Sequence, residues 1–227
     1  MRRLKARRVP DLSDSGGRQI PLSDDEARIA RLEVENGFRQ YDETIEAIKY
    51  YLDPERPFAL RPGLILQLQS IAVEGLVPKP GNWRTTTVKI SKSKHQPPEP
   101  HLIAPLVQEL CDYVNNNLHE RTPLHLAAFV MWRLNWIHPF DDGNGRTSRA
   151  ISYLVLCVGL KLLLPGSPTI PQQIQEDRSA YFDALEKADE AYRNDDTIDV
   201  SVMEDTLKQM LAKQLLGIIE SAGGKIG

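Results

Sequence analysis

His138-Pro139-Phe140-Asp141-Asp142-Gly143-Asn144-Gly145-Arg146-Thr147-Ser148-Arg149 joins two strongly helical stretches, and its reading decides both fold class and chemistry. Glycines on either side of Asn144 let the backbone approach a ligand closely and turn its amides outward. The apolar stretch that follows reads as a helix, and a helix N-terminus behind such a turn is a ready anion site. Arg146 and Arg149, three residues apart, share one face of its first turn. The macrodipole disfavours cations there by about 0.3–1 kcal/mol each, so two arginines make better sense with an anion or an acidic side chain beside them. Guanidinium geometry suits bidentate pairing with phosphate oxygens. Asp142 adds a hard oxygen ligand of the kind that shares Mg²⁺ with phosphates. His138 is a titratable base one loop away. Together these parts describe phosphoryl or nucleotidyl transfer to a hydroxyl that must lose its proton. The competing structural reading is a plain turn whose arginines pair with Asp141 and Asp142.

Working outward, Pro123 to Trp136 and Gly145 to Leu164 read as the two flanking helices. Upstream, Ser23-Asp24-Asp25-Glu26 has the form of a capping box and predicts a helix running towards Asn36-Gly37, a pair able to end it. Tyr41, Ile45, Ile48 and Leu52 predict a second helix, stopped by Asp53-Pro54. Pro62 to Ala72 predicts a third, with Leu64, Leu68 and Ile71 on one face. The texture then changes: Thr85 to Ile90 is β-prone, Ser91 to Gln96 is polar, and Pro97-Pro98 follows, which fits two short strands or a loop. Further helices are expected at about His101 to Asn116, Ile170 to Ala191 and Val200 to Ala222. No internal repeat is visible. The expected fold is mainly α, one helical domain with a small β-hairpin. The divisions are a basic N-terminal tail (1–22), N-terminal helices (23–52), a core (53–195) and a C-terminal helical extension (196–227).

The bulk properties exclude several classes. With 227 residues and 41% hydrophobic content, the chain can build one good-sized core. A net charge of −3 argues against nucleic-acid binding by general phosphate attraction. Arg2, Arg3, Lys5, Arg7 and Arg8 open the chain, but no apolar segment follows them, so they read as a solvated tail. The longest apolar run, Ala150 to Leu164, falls short of the ~20 residues a membrane span needs. Cys111 and Cys157 are far apart in apolar helical surroundings and read as core residues in a reducing cytosol. A soluble, cytoplasmic protein is expected.

The stretch His138 to Arg149 resembles the signature of the Fic domain family, His-x-Phe-x-(Asp/Glu)-Gly-Asn-Gly-Arg-x-x-Arg, at every specified position: His138, Phe140, Asp142, Gly143, Asn144, Gly145, Arg146 and Arg149. The resemblance extends more weakly over roughly Ser23 to Ala191. It implies a Fic-like helical domain that transfers AMP from Mg-ATP to a hydroxyl side chain (Ser, Thr or Tyr) of a target protein. On that resemblance His138 would deprotonate the hydroxyl and Phe140 would anchor the loop. Asp142 would hold Mg²⁺, while Gly143, Asn144 and Gly145 would form an anion hole with the Asn144 side chain on the α-phosphate. Arg146 would hold the leaving pyrophosphate and Arg149 the γ-phosphate.

Three further roles follow from the same resemblance. Residues Thr86 to Gln96 would be a target-docking flap, with Thr87, Val88 and Lys89 pairing with an extended target segment. Tyr181, within Arg178-Ser179-Ala180-Tyr181-Phe182, would line the adenosine pocket. Glu35, in the pair Glu35-Asn36, would act as an inhibitory glutamate bridged to Arg149, although Arg31 stands where relatives carry Ser or Thr. Ser70 to Gly75, with Glu74, fits the same letters but lies where relatives have core helix. A Doc-like kinase is the alternative enzyme, although that branch has lysine where Gly145 stands. Transfer of UMP, GMP or phosphocholine keeps the same signature, and a catalytically silent binding module is the non-enzymatic alternative. The stretch Val200 to Ile219 suits either packing back on the domain or the contact of a homo-oligomer.

Overall fold

A computed structural model of the chain describes residues 24–90 and 93–221, with side chains described to residue 218. The basic tail and Ser23 lie outside the described residues. Eight α-helices follow in order: α1 (Asp24–Tyr51), α2 (Pro62–Ala72), α3 (Ile103–Asn117), α4 (Pro123–Ile137), α5 (Asn144–Gly159), α6 (Ile170–Glu176), α7 (Ser179–Asp195) and α8 (Ser201–Ser221), with a 3₁₀ turn at Pro100–Leu102. The mainly α expectation holds. Among the described residues there is no strand, and Thr85 to Ile90 runs as irregular chain.

The core is built around α4 and α5. Helix α4 is buried almost all round, from Leu126 to Leu134 and at Ile137, as expected of a helix surrounded by others. Thr122 caps its start by accepting from the His125 amide at 3.1 Å, and Pro123 occupies its first turn. Helix α5 presents Ile151, Leu154, Val155 and Leu156 to the same core. Gly159 is the last residue of α5 and lies against Pro123, where a Cβ would come within 2.9 Å of the proline ring. α5 therefore ends before the predicted Leu164. Cys111 and Cys157 are buried free thiols, pushed up by that burial to about 12 and about 11.

Two predicted boundaries are corrected by side-chain hydrogen bonds. The stretch Ile170 to Ala191 divides into α6 and α7 because Asp177 Oδ1 accepts from the Ser179 amide at 2.9 Å and its hydroxyl at 2.7 Å, which starts a new helix. Conversely, the two helices predicted on either side of Asn36-Gly37 are one continuous α1. Asn36 does not end a helix; its Nδ2 donates to Glu74 O at 2.8 Å, and Gln40 Nε2 donates to Leu68 O at 2.9 Å. Those bonds seat α1 on α2 through a buried stripe of Asn36, Gln40, Thr44 and Ile48. The buried face of α2 is Ile65, Leu68, Gln69 and Ala72, so Leu64 and Ile71 flank the buried face.

Gly37 is left in the interior of α1 with open space where a Cβ would stand. Gly37→Ala is therefore expected to raise stability by about 0.5–1 kcal/mol, read as a higher midpoint in thermal or urea unfolding. No described helix is long and apolar enough to cross a membrane.

Candidate active site

α4 ends at His138, which caps it in a left-handed conformation (φ 48°, ψ 58°) and donates its amide to Leu134 O at 3.0 Å. Phe140, 1% exposed, packs its ring 5.0 Å from that of Trp83 and anchors the loop, as the resemblance implies. The loop turns at Gly143 (φ 83°), where a Cβ would approach Val73 Cγ1 to 2.8 Å. α5 starts on the next residue, and its first intrahelical bond runs from the Thr147 amide to Gly143 O at 2.9 Å. The amides of Asn144, Gly145 and Arg146 therefore stand at the open positive end of the helix.

Gly143→Ala imposes both the contact and the left-handed backbone on a side chain. We expect it to destabilise the fold by about 1–3 kcal/mol, visible as a lower unfolding midpoint.

Asn144 is 6% exposed, and its carboxamide forms a pair of bonds with Phe140: Oδ1 accepts from the Phe140 amide at 2.9 Å and Nδ2 donates to Phe140 O at 2.8 Å. The carboxamide expected on the α-phosphate thus also closes the turn. Its contribution is the shape of the turn, with one Nδ2 hydrogen to spare. Gln69, a residue with no sequence signal, holds the other side: Nε2 donates to Asp142 O at 3.0 Å and Oε1 accepts from the Gly81 amide at 2.7 Å.

The two arginines differ. Arg146 donates to Ala72 O at 2.8 Å and to Asp142 Oδ2 at 3.1 Å, the pairing that the structural reading anticipated for it. Asp142, whose side chain is 50% exposed, also accepts from the Gly143 amide at 2.6 Å. Among the described residues Arg149 has no carboxylate partner. Its Nη1 would lie 3.3 Å from a Cβ on Gly145, so the guanidinium folds back over the first turn of α5. Burial lowers its pKa from the usual value, the Tyr181 hydroxyl opposes that, and Arg178 and Arg146 add to it. Three cations around one helix N-terminus, the innermost without an acid, make a site that favours a polyanion.

His138 is half-buried, and its Nδ1 is enclosed with no hydrogen-bond partner of normal geometry. Burial lowers its pKa to about 4; the Asn135 carbonyl and Asp142 oppose this, while the Arg84 charge and the neighbouring His95 reinforce it. The imidazole is thus neutral, and a proton acceptor, throughout the neutral range.

Tyr181 is 2% exposed and lies beside Arg149, its hydroxyl accepting from Asn135 Nδ2 at 2.9 Å. It cannot line an open adenosine pocket; it supports the arginine from within the core. The adjacent Phe182, 52% exposed with its ring 5.4 Å from Tyr181, is the aromatic that faces outward.

The expected ion pair between Glu35 and Arg149 is not made. Glu35 is exposed, since the buried stripe of α1 passes through its neighbour Asn36 and repeats every fourth residue. Glu74, the other candidate, pairs with Arg39 on the surface. On this geometry Glu35→Ala leaves label transfer from ATP unchanged within about twofold, and a several-fold gain would show that the bridge forms in another arrangement of α1. Thr87, Val88 and Lys89 lie in an exposed irregular stretch, with Thr87 Oγ1 donating to Glu99 Oε2 at 3.1 Å; residues 91 and 92 of the expected flap lie outside the described residues.

A helical domain here sets a neutral imidazole beside an arginine-rich helix N-terminus, an arrangement able to receive phosphate. Comparison with known proteins narrows the class. Residues 59–156 match the sequence model of the Fic/DOC family. Among curated relatives, the protein adenylyltransferase Fic of Drosophila grimshawi is 38% identical over 116 residues, 48% of this chain and 21% of the relative. The protein of the same name from Nematostella vectensis is 32% identical over 112 residues, 48% of this chain and 23% of the relative. The match thus spans about a fifth of the length of these relatives. A solved Fic domain containing signaling protein from Bacteroides thetaiotaomicron is similar with a TM-score of 0.66 at 23% identity, over 86% of this chain and 76% of that one. A Fic family protein from Desulfovibrio desulfuricans gives 0.65 at 20%, over 92% and 57%. At these identities the likeness to the solved structures is one of fold.

Proposed function

We propose that this chain transfers AMP from ATP to a hydroxyl side chain of a protein. The observation that carries the reading is the juxtaposition of a neutral His138 with an α5 N-terminus whose Arg149 lacks an acid. The names of the relatives, protein adenylyltransferases and hence nucleotidyltransferases, point the same way. His138 takes the proton of the hydroxyl, whose oxygen forms a bond to the α-phosphorus as the bond to the β-phosphate oxygen breaks and pyrophosphate leaves. The amides of 144–146 receive charge on the phosphates. Arg149 holds the γ-phosphate, and Arg146 turns from Asp142 to the pyrophosphate. Phe182 offers an exposed aromatic face to the base, and Thr87, Val88 and Lys89 border the target.

The half-exposed Asp142 carboxylate, bordering the same helix end, fits a Mg²⁺ ion shared with phosphate oxygens. No group of three acidic, His or Cys side chains among the described residues is arranged to hold an ion alone. Bound there, the ion would neutralise phosphate charge and orient the leaving group. A Ser, Thr or Tyr residue carrying one adenylyl group, found by mass spectrometry after incubation of a lysate with the chain and Mg-ATP, is the expected product. A phosphoryl, uridylyl, guanylyl or phosphocholine adduct in its place would overturn the reading.

A further inference from the structure

Arg84 is 2% exposed and makes no ion pair among the described residues. Its donors go to carbonyls: Nε to His138 O at 2.7 Å, Nη1 to Thr86 O at 2.9 Å, and Nη2 to Pro98 O at 2.6 Å, with a longer contact from Nη2 to Ile137 O at 3.4 Å. Its own amide donates to Pro139 O at 2.9 Å. One planar group therefore touches three pieces of chain at once: the last residues of α4, and both ends of the 86–98 loop.

From this geometry we propose that Arg84 is a positioning residue that locks both stems of the 86–98 loop to the backbone of His138, so that a docked hydroxyl and the base keep a fixed spacing. The proposal rests on the transfer reading above. His138 is a non-glycine residue in left-handed backbone, a conformation that persists only where its surroundings hold it. Arg84 supplies that hold on both sides of the His138–Pro139 peptide. His95, within the same loop, adds a second tether: its Nε2 lies 2.7 Å from Trp136 O and its ring 5.2 Å from that of Trp136. The acceptors around Arg84 are spread in the plane of a fork, which a lysine ammonium cannot reproduce although it keeps the charge. Loss of the fork would let the loop and base drift apart, and a misplacement of about 1 Å costs on the order of a hundredfold in rate.

The test compares wild type, Arg84→Lys, Arg84→Met and His138→Ala for incorporation of α-labelled ATP into lysate protein. Both Arg84 variants are expected to lose roughly a hundredfold in maximal rate, with KM for ATP within about twofold of wild type, because the phosphate-binding residues are untouched. Arg84→Met also removes a positive charge facing His138, leaving His95 and Asp142, so its acidic limb moves to higher pH; Arg84→Lys leaves the limb in place. Maximal rates equal to wild type in either variant, or a loss carried by KM for ATP, overturn the proposal. His138→Ala at wild-type rate would sink the transfer reading instead. The fork itself is measurable in the unmodified protein: slow exchange of the Arg84 Nε–H by NMR is expected, and free exchange counts against it whether or not the variants fold.

Discussion

His138→Ala is expected to reduce AMP incorporation by about 10²–10⁴-fold, the usual contribution of a positioned general base. The substitution leaves the α5 N-terminus and its arginines in place, so ATP binding persists. Wild-type transfer should hold its rate through the neutral range and fall as the pH drops through about 4, where the buried imidazole takes up a proton. The same burial has a consequence for stability. The folded imidazole sits at about 4 against an ordinary 6.5, so the unfolded chain takes the proton first. Stability from this group is complete above about 6.5 and is lost as pH falls from there towards 4. The alanine variant lacks that loss, and its urea midpoint should vary less across the window. A variant whose rate and acid sensitivity both match wild type would remove His138 from the reaction.

Arg149→Ala is the second large effect. The guanidinium has no carboxylate partner to leave stranded, so its removal acts mainly on whatever anion the helix end receives. A loss of about 10²–10³-fold in kcat/KM for ATP is expected, comparable to deleting one charged donor from a water-poor phosphate site. Arg146→Ala should cost less at the nucleotide, because it also frees Asp142 from an ion pair and gives up a bond to Ala72 O. Titration of ATP into the two variants by calorimetry separates these outcomes. Equal, small effects would mean that the phosphates lie elsewhere.

Much of the stretch from His138 to Arg149 carries a local constraint that the sequence makes visible. The left-handed turn requires Gly143, the apolar start requires Phe140, and two cations at a helix N-terminus ask for an anion. The residues that position this loop were not legible, since their partners are far away in sequence. Gln69 and Arg84 meet it across 73 and 54 residues, and nothing near either one marks the contact. α1 was misread for a related reason. Its inward stripe is Asn36, Gln40, Thr44 and Ile48, three of them polar residues satisfied by hydrogen bonds, so the apolar pattern of Tyr41, Ile45, Ile48 and Leu52 shares only Ile48 with it. The same shift exposes Glu35. Tyr181 illustrates the other failure: next to Phe182, an aromatic pair in an amphipathic helix does not say which ring is inside.

The central claim is that the helix end of α5 presents the α-phosphate of ATP to a hydroxyl activated by His138. Incubating the wild-type chain and lysate with ATP labelled at either the α- or the γ-phosphate measures this directly. The expected result is protein-bound label from the α-position alone, absent with His138→Ala. Protein-bound γ-label that depends on His138 would contradict it and assign the site to phosphoryl transfer.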